Sequence, residues 1–73
     1  MSEAIKVDAR GLSCPEPVIL AKQAMRQEGA ARIEVVVDSG ASRENVRRSA
    51  EMAGWSVEVI ELAGGEFRLD LAK

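Results

Sequence analysis

The chain's only two prolines stand one residue apart, in the string Ser13-Cys14-Pro15-Glu16-Pro17-Val18. Inside a helix, a proline deletes a hydrogen bond and clashes with the preceding turn. In the first turn it costs little, because the N–H it lacks would have had no intrahelical partner. Residues 15–28 carry a helical apolar stripe of Val18, Ala21 and Met25, widened by Leu20 and Ala24, with Lys22, Gln23 and Arg26 turned away. The prolines therefore mark a helix start. With Cys14 as N-cap, Pro15 takes the first helical position and Pro17 the third, and neither removes a needed bond. With Ser13 as N-cap, as the Ser13…Glu16 capping-box pattern suggests, Pro17 falls at the fourth position and removes the first helical hydrogen bond. The first arrangement is favoured. Because a residue before proline avoids the α region, regular helix is expected only near Pro17. Gly29 suits the C-terminal cap.

The rest of the chain alternates between two periods. Residues 3–8 set Ile5 and Val7 against Lys6 and Asp8, the pattern of a half-buried strand, and 9–14 form a loop broken by Gly11. Residues 32–38 place Ile33, Val35 and Val37 on one face of a second strand. Asp38-Ser39-Gly40-Ala41 reads as a turn into a helix over roughly 42–54, with Ser42 as a cap, although the following residues also suit a start one position earlier. Val46, Ser49, Ala50 and Ala53 give it a narrow inner stripe, and Gly54 ends it. Residues 56–62 and 66–71 are strand-like, and Ala63-Gly64-Gly65 between them predicts an antiparallel hairpin. The order β-α-β-α-β-β predicts an α/β (α+β) two-layer sandwich: a four-stranded mixed sheet with two helices on one face, in a single domain over 1–73. Right-handed crossovers would bring both helix starts to one sheet edge. Trp55 and Phe67, the only aromatics, are expected in the core.

Composition narrows the chemistry. The chain has 73 residues, no His and one Cys. That excludes Ser–His–Asp and Cys–His nucleophilic sites, His-liganded metals, intrachain disulfides and multi-thiolate zinc sites. No cofactor or metal is implied. Ten basic against twelve acidic residues give a net charge of −2, not the basic footprint of a nucleic-acid binder. No apolar run approaches a membrane span, and a free thiol suits a reducing cytoplasm.

Cys14 is the remaining chemical candidate. A free cysteine is most often a small buried hydrophobe. The flanking Pro-x-Pro and the Gly-containing loop before it argue instead for exposure at a helix start. There the macrodipole favours an anion by about 0.3–1 kcal/mol, which enriches the thiolate modestly near neutral pH. The prolines stiffen the loop and lower the cost of docking a partner. Glu16 would oppose the thiolate if it pointed inward and is expected to point out. Arg10 is the nearest cation in sequence. Arg43, Arg47 and Arg48 read first as a solvated helix face balanced by Glu44 and Glu51, and Asp38 first as a turn former.

The run Asp8-Ala9-Arg10-Gly11-Leu12-Ser13-Cys14-Pro15-Glu16-Pro17-Val18 resembles the signature of the TusA/SirA/YedF family of small sulfur carriers. The second half, from Ser42-Arg43-Glu44-Asn45-Val46 through Gly54 to the closing hairpin, is similar to the YedF-like branch. The resemblance spans nearly the whole chain and implies the two-layer β-α-β-α-β-β fold. It implies that Cys14 accepts sulfane sulfur as a persulfide from a cysteine desulfurase or other donor and relays it to a downstream acceptor protein. The end use would be tRNA thiolation or other sulfur trafficking, such as sulfur oxidation or molybdenum-cofactor supply. Pro15, Pro17 and Gly11 would position the thiol, and Arg10, Asp38 and Arg43 would serve as docking candidates. The partners would be proteins, with no membrane or direct nucleic-acid contact, and the carrier a monomer. The second domain usual in YedF proteins has no room here, which argues against a selenium role. Two competitors remain: a non-catalytic interaction module with a passive Cys14, and an RNA binder, disfavoured by charge and by the lack of stacking aromatics.

Overall fold

The computed structural model describes residues 5–12, 16–27 and 31–73. The elements run β1 (Ile5–Asp8), α1 (Glu16–Met25), β2 (Arg32–Val37), α2 (Gly40–Met52), β3 (Ser56–Glu61), a 3₁₀ turn (Ala63–Gly65) and β4 (Phe67–Ala72). The expected β1 start at residue 3 and the Gly29 cap lie outside the described residues. Helix α1 ends at Met25, the last residue of its stripe and short of the expected residue 28, and Arg26 and Gln27 already lie in the turn beyond it.

The four strands form one mixed sheet in the order β1-β2-β4-β3. β1 runs parallel to β2, while β4 lies antiparallel to both β2 and β3. The β3–β4 hairpin is as expected. Leu62 N–H donates to the Glu66 carbonyl at 2.8 Å, and Gly64 and Gly65 turn the chain at φ +76° and +77°, a region that favours glycine. The insertion of β4 between β2 and β3 follows from burial. Ile33, Val35 and Val37 face Leu71, Leu69 and Phe67 in register, so the two strands with the most continuous apolar faces take the centre. β3, carrying Glu58 and Glu61, takes an edge, where charge discourages further pairing.

Both helices cover that face. Pro17, Ala21 and Ala24 of α1 and Ser42, Val46 and Ala50 of α2 are buried against the strands. The start of α2 differs from expectation. Ser39 is the N-cap, its hydroxyl accepting from Ser42 N–H at 3.1 Å, and the helix begins at Gly40. Ser42 is therefore an inward residue of the first turn rather than the cap. The inner stripe becomes Ser42, Val46 and Ala50, and Ala53 is an exposed C-terminal cap. Trp55 is buried, as expected, but Phe67 is only half-buried, at the end of the central ladder. No helix among the described residues is long and apolar enough to cross a membrane.

Leu69 is fully buried, on the central strand β4. Leu69→Ala should cost about 2–5 kcal/mol and Ser39→Ala about 0.5–2 kcal/mol, read as a lowered denaturant midpoint. A Ser39→Ala change with no effect would place the α2 cap elsewhere.

Candidate functional site

Ser13, Cys14 and Pro15 lie outside the described residues; the chain on either side of them in sequence is described. β1 delivers the chain to one end of the sheet. Ala9 is fully buried, and its N–H continues the parallel ladder to the Val36 carbonyl at 2.8 Å. The chain then turns at Gly11, where φ is +76°. Gly11 N–H donates to Asp38 Oδ2 at 2.7 Å, a bond across 27 residues. Asp38 stands between β2 and α2, so this contact ties the loop leading toward residue 14 to the start of the second helix. A charge-assisted bond of this length is stronger than a neutral one.

Beyond the loop, α1 begins with Glu16 exposed, as expected, and Pro17 buried. Helical residues from Glu16 onward agree with a regular helix that starts near Pro17. The ring of Pro17 is thus a packing element as well as a first-turn proline.

Arg10 does not extend as a free cation. Its Nε and Nη2 donate to Asp8 Oδ1 and Oδ2, each at 2.9 Å, and its own N–H donates to Asp8 Oδ1 at 3.1 Å. Nη1 lies 3.6 Å from Glu66 Oε1, which links the loop to the β3–β4 hairpin. The side-chain hydrogen bonds from Arg10, then its backbone N–H, hold the Asp8 carboxyl down at about 2 against an ordinary 3.8. The same pairing raises Arg10 above its usual value.

Arg43 lies on the first turns of α2, its guanidinium carbon 4.7 Å from the Phe67 ring centroid and Nη2 3.6 Å from Glu44 Oε1. Arg47 bridges Glu44 at 2.7 Å and Glu51 at 2.9 Å, in keeping with the balanced helix face expected there. The structure thus brings Arg10, Gly11 and Asp38 together. It adds Glu66 and Phe67, which sequence reading missed as site neighbours: Glu66 had no partner in sequence, and Phe67 resembled ordinary core. No group of three or more His, Cys, Asp or Glu residues suited to a metal ion occurs among the described residues.

With this geometry in view, comparison with known proteins gives a consistent result. The family model described as "Sulfurtransferase TusA" matches residues 5–73. A protein of Methanocaldococcus jannaschii named "Putative sulfur carrier protein" is 37% identical over 70 residues, covering 93% of this chain and 92% of its own. The crystal structure of a SirA-like protein from Desulfitobacterium hafniense is also 37% identical. It superposes with a TM-score of 0.86, covering 93% of this chain and 95% of that one.

The Asp8 pairing carries a pH signature. A carboxyl lowered in the folded state contributes stability that is present above its unfolded value and lost as pH falls through its folded one. Carbon-detected NMR titration should place the Asp8 midpoint near 2, so its contribution fades between about pH 4 and 2. Arg10→Ala should return the midpoint to the ordinary carboxylate range, and an unmoved midpoint would contradict the pairing.

Proposed function

This chain belongs to the TusA sulfurtransferase family of sulfur carriers, and we propose that it works as a persulfide relay through Cys14. The observation that supports this reading most is the intact Cys14-Pro15-Glu16-Pro17 string, whose last two residues open α1, in a chain matched to the family from residue 5 to 73.

The chemistry is sulfur exchange of the thiol–disulfide type. The Cys14 thiolate attacks the terminal sulfur of a donor persulfide. A Cys14 S–S bond forms, the donor's S–S bond breaks, and the donor leaves as a thiolate. A nucleophile on the acceptor protein then attacks the terminal sulfur, and Cys14 leaves as a thiolate. Each step breaks one bond and forms one, so no external oxidant or reductant is consumed. A second cysteine is unnecessary, because the sulfur departs to another protein. The donor is a cysteine desulfurase or another sulfane-sulfur source.

In this reading Gly11 and Asp38 are positioning residues. Their hydrogen bond fixes the loop that carries the thiol, while Pro15 and Pro17 restrict the first turn of α1. Arg43, held over Phe67 beside the Asp38 turn, is the leading docking residue. Arg10 serves docking less directly, through the ion-pair link between the loop and the hairpin.

Incubation with a cysteine desulfurase and cysteine should add sulfur in steps of about 32 Da, removable by reductant, to the native chain and not to Cys14→Ser. Equal gain by Cys14→Ser, or no gain from any sulfane donor, would end the proposal. A passive, buried Cys14 would also resist alkylation until the protein unfolds.

Arg43→Gln retains an aliphatic stem over Phe67 and removes the charge. It should slow sulfur loading or delivery several-fold and leave Cys14 alkylation within twofold. The defect should shrink as salt rises, because exposed charges are screened over about 10 Å at 0.1 M. Parallel slowing of alkylation would show that Arg43 acts on the thiol, and no change in either rate would remove it from the docking surface.

A further inference from the structure

At the end of the molecule opposite the Gly11 loop, the C-terminal parts of α1 and α2 and the residues around β3 and β4 enclose an open cleft. It has a volume of about 290 Å³ and is lined by Lys22, Met25, Arg26, Ser49, Ala53, Trp55 and Lys73. Three of these seven residues are cations and none is an acid. The chain as a whole has more acids than bases, so the concentration of one sign is local. Elsewhere among the described residues the arginines at 10, 43, 47 and 68 are paired with carboxylates, while Lys6, Arg32 and Arg48 stand singly on other faces. Among the described residues, Lys22, Arg26 and Lys73 have no carboxylate partner within ion-pair distance.

Helix ends do not account for the cluster. The two helix C-termini together contribute roughly one negative charge and the α-carboxylate of Lys73 another, against three cationic side chains. The last carbonyls already have donors: those of Ser49, Ala50 and Glu51 accept from the N–H groups of Ala53, Gly54 and Trp55, and those of Lys22, Gln23 and Ala24 from Arg26 and Gln27. The cations are therefore not needed as caps. The apolar part of the lining is Met25, Ala53 and Trp55, with Lys73 Nζ over the indole ring at 5.8 Å from its centroid. Arginine offers a planar fork suited to phosphate or carboxylate, and the two lysines add adaptable point charges.

We propose that this cleft binds a compact organic anion, a phosphate ester or carboxylate carried on a small apolar or planar body. The volume lies at the lower end of the range for small-molecule sites, which sets the size of the ligand. The proposal is independent of Cys14: the lining residues Lys22 and Met25 lie six and nine residues beyond the start of α1, roughly 9–14 Å along its axis.

Trp55 is the chain's only tryptophan, so its fluorescence reports on this cleft directly. Phenyl phosphate is the probe. Titration should give a saturable change in Trp55 emission, with an affinity at least tenfold above that for inorganic phosphate. The double variant Lys22→Glu/Arg26→Glu should weaken binding at least tenfold. Arg32→Glu/Arg48→Glu, with the same change in net charge on residues outside the cleft, should stay within twofold. Circular dichroism should match the native fold in both variants. A response that never saturates, or equal loss in both double variants, would overturn the proposal. So would binding of an acidic peptide, seen at the same Trp55 signal, without binding of phenyl phosphate. Because the readout involves no sulfur transfer, its failure would leave the persulfide reading standing, and the reverse is also true.

Discussion

The antiparallel ladder between β2 and β4 sets Ile33, Val35 and Val37 beside Leu71, Leu69 and Phe67, and the layering of the molecule depends on it. Five of those six side chains are essentially inaccessible to water. Two short helices suffice to cover them, because the inner residues of those helices are small: Ala21 and Ala24 on one, Ser42 and Ala50 on the other. Small residues let a helix approach a sheet closely, but they contribute little apolar area each. The core is therefore thin, and its stability depends on a few central strand residues. β1 and β3 flank the ladder with half-buried Ile5, Val7 and Val57, the gradation expected when one layer of helices must cover four strands.

The same topology gathers chain reversals at one end of the sheet. The exit of β1, the exit of β2 and the turn before β4 meet there, since β4 runs opposite to its neighbours. Contacts across that end are polar and long-range in sequence: Gly11 to Asp38, and Arg10 to Glu66. Surface ion pairs contribute little to global stability, and at 49% and 62% side-chain exposure the Arg10–Asp8 pair belongs to that class. What such contacts provide is a restricted geometry for a loop that the core holds only at Ala9 and Leu12. A loop pinned at Gly11 by a neighbouring helix start presents its following residues from a fixed base.

Much of this architecture was legible in the sequence, for a definite reason. Period-2 alternation in β1, β2 and β4, and the Gly64-Gly65 hairpin, are local signals whose outcome tertiary packing reinforced. The misreadings occurred where local signals competed. Ser39 and Ser42 are both acceptable caps by composition. The choice fell to Ser39 because starting at Gly40 puts Ser42, Val46 and Ala50 at four-residue spacing toward the sheet. Ala53 falls off the inner stripe because the helix ends at Met52, not at 54, and leaves Ala53 as its cap. Phe67 reads as core from its type alone, and only the stacking of Arg43 shows it at the ladder's end. The strand order was not local at all, since it compares the inner faces of β3 and β4. Of the site, the cysteine string is read from the sequence alone, since residues 13–15 lie outside the described residues. The engagement of Arg10 by Asp8, two residues away, was not legible there, because nothing in the sequence says which way a long side chain will turn.

That engagement bears on how a carrier thiol would be tuned. A cation lent wholly to a thiolate would depress its basicity. It would then leave readily from a persulfide but attack a donor sluggishly, since nucleophilicity falls with basicity. A relay requires the same sulfur to perform both roles in turn, first as nucleophile and then as leaving group. Moderate activation by a helix start, about 0.3–1 kcal/mol, serves both steps better than a dedicated counter-ion. Arg10 is held by Asp8 and Glu66 and Arg43 by Phe67 and Glu44, so both arginines are already engaged by their own neighbours. Further stabilisation of the thiolate would then come from each partner as it docks. On the proposed relay, such a carrier would keep its sulfur exchangeable in both directions, with the direction of transfer set by whichever partner docks.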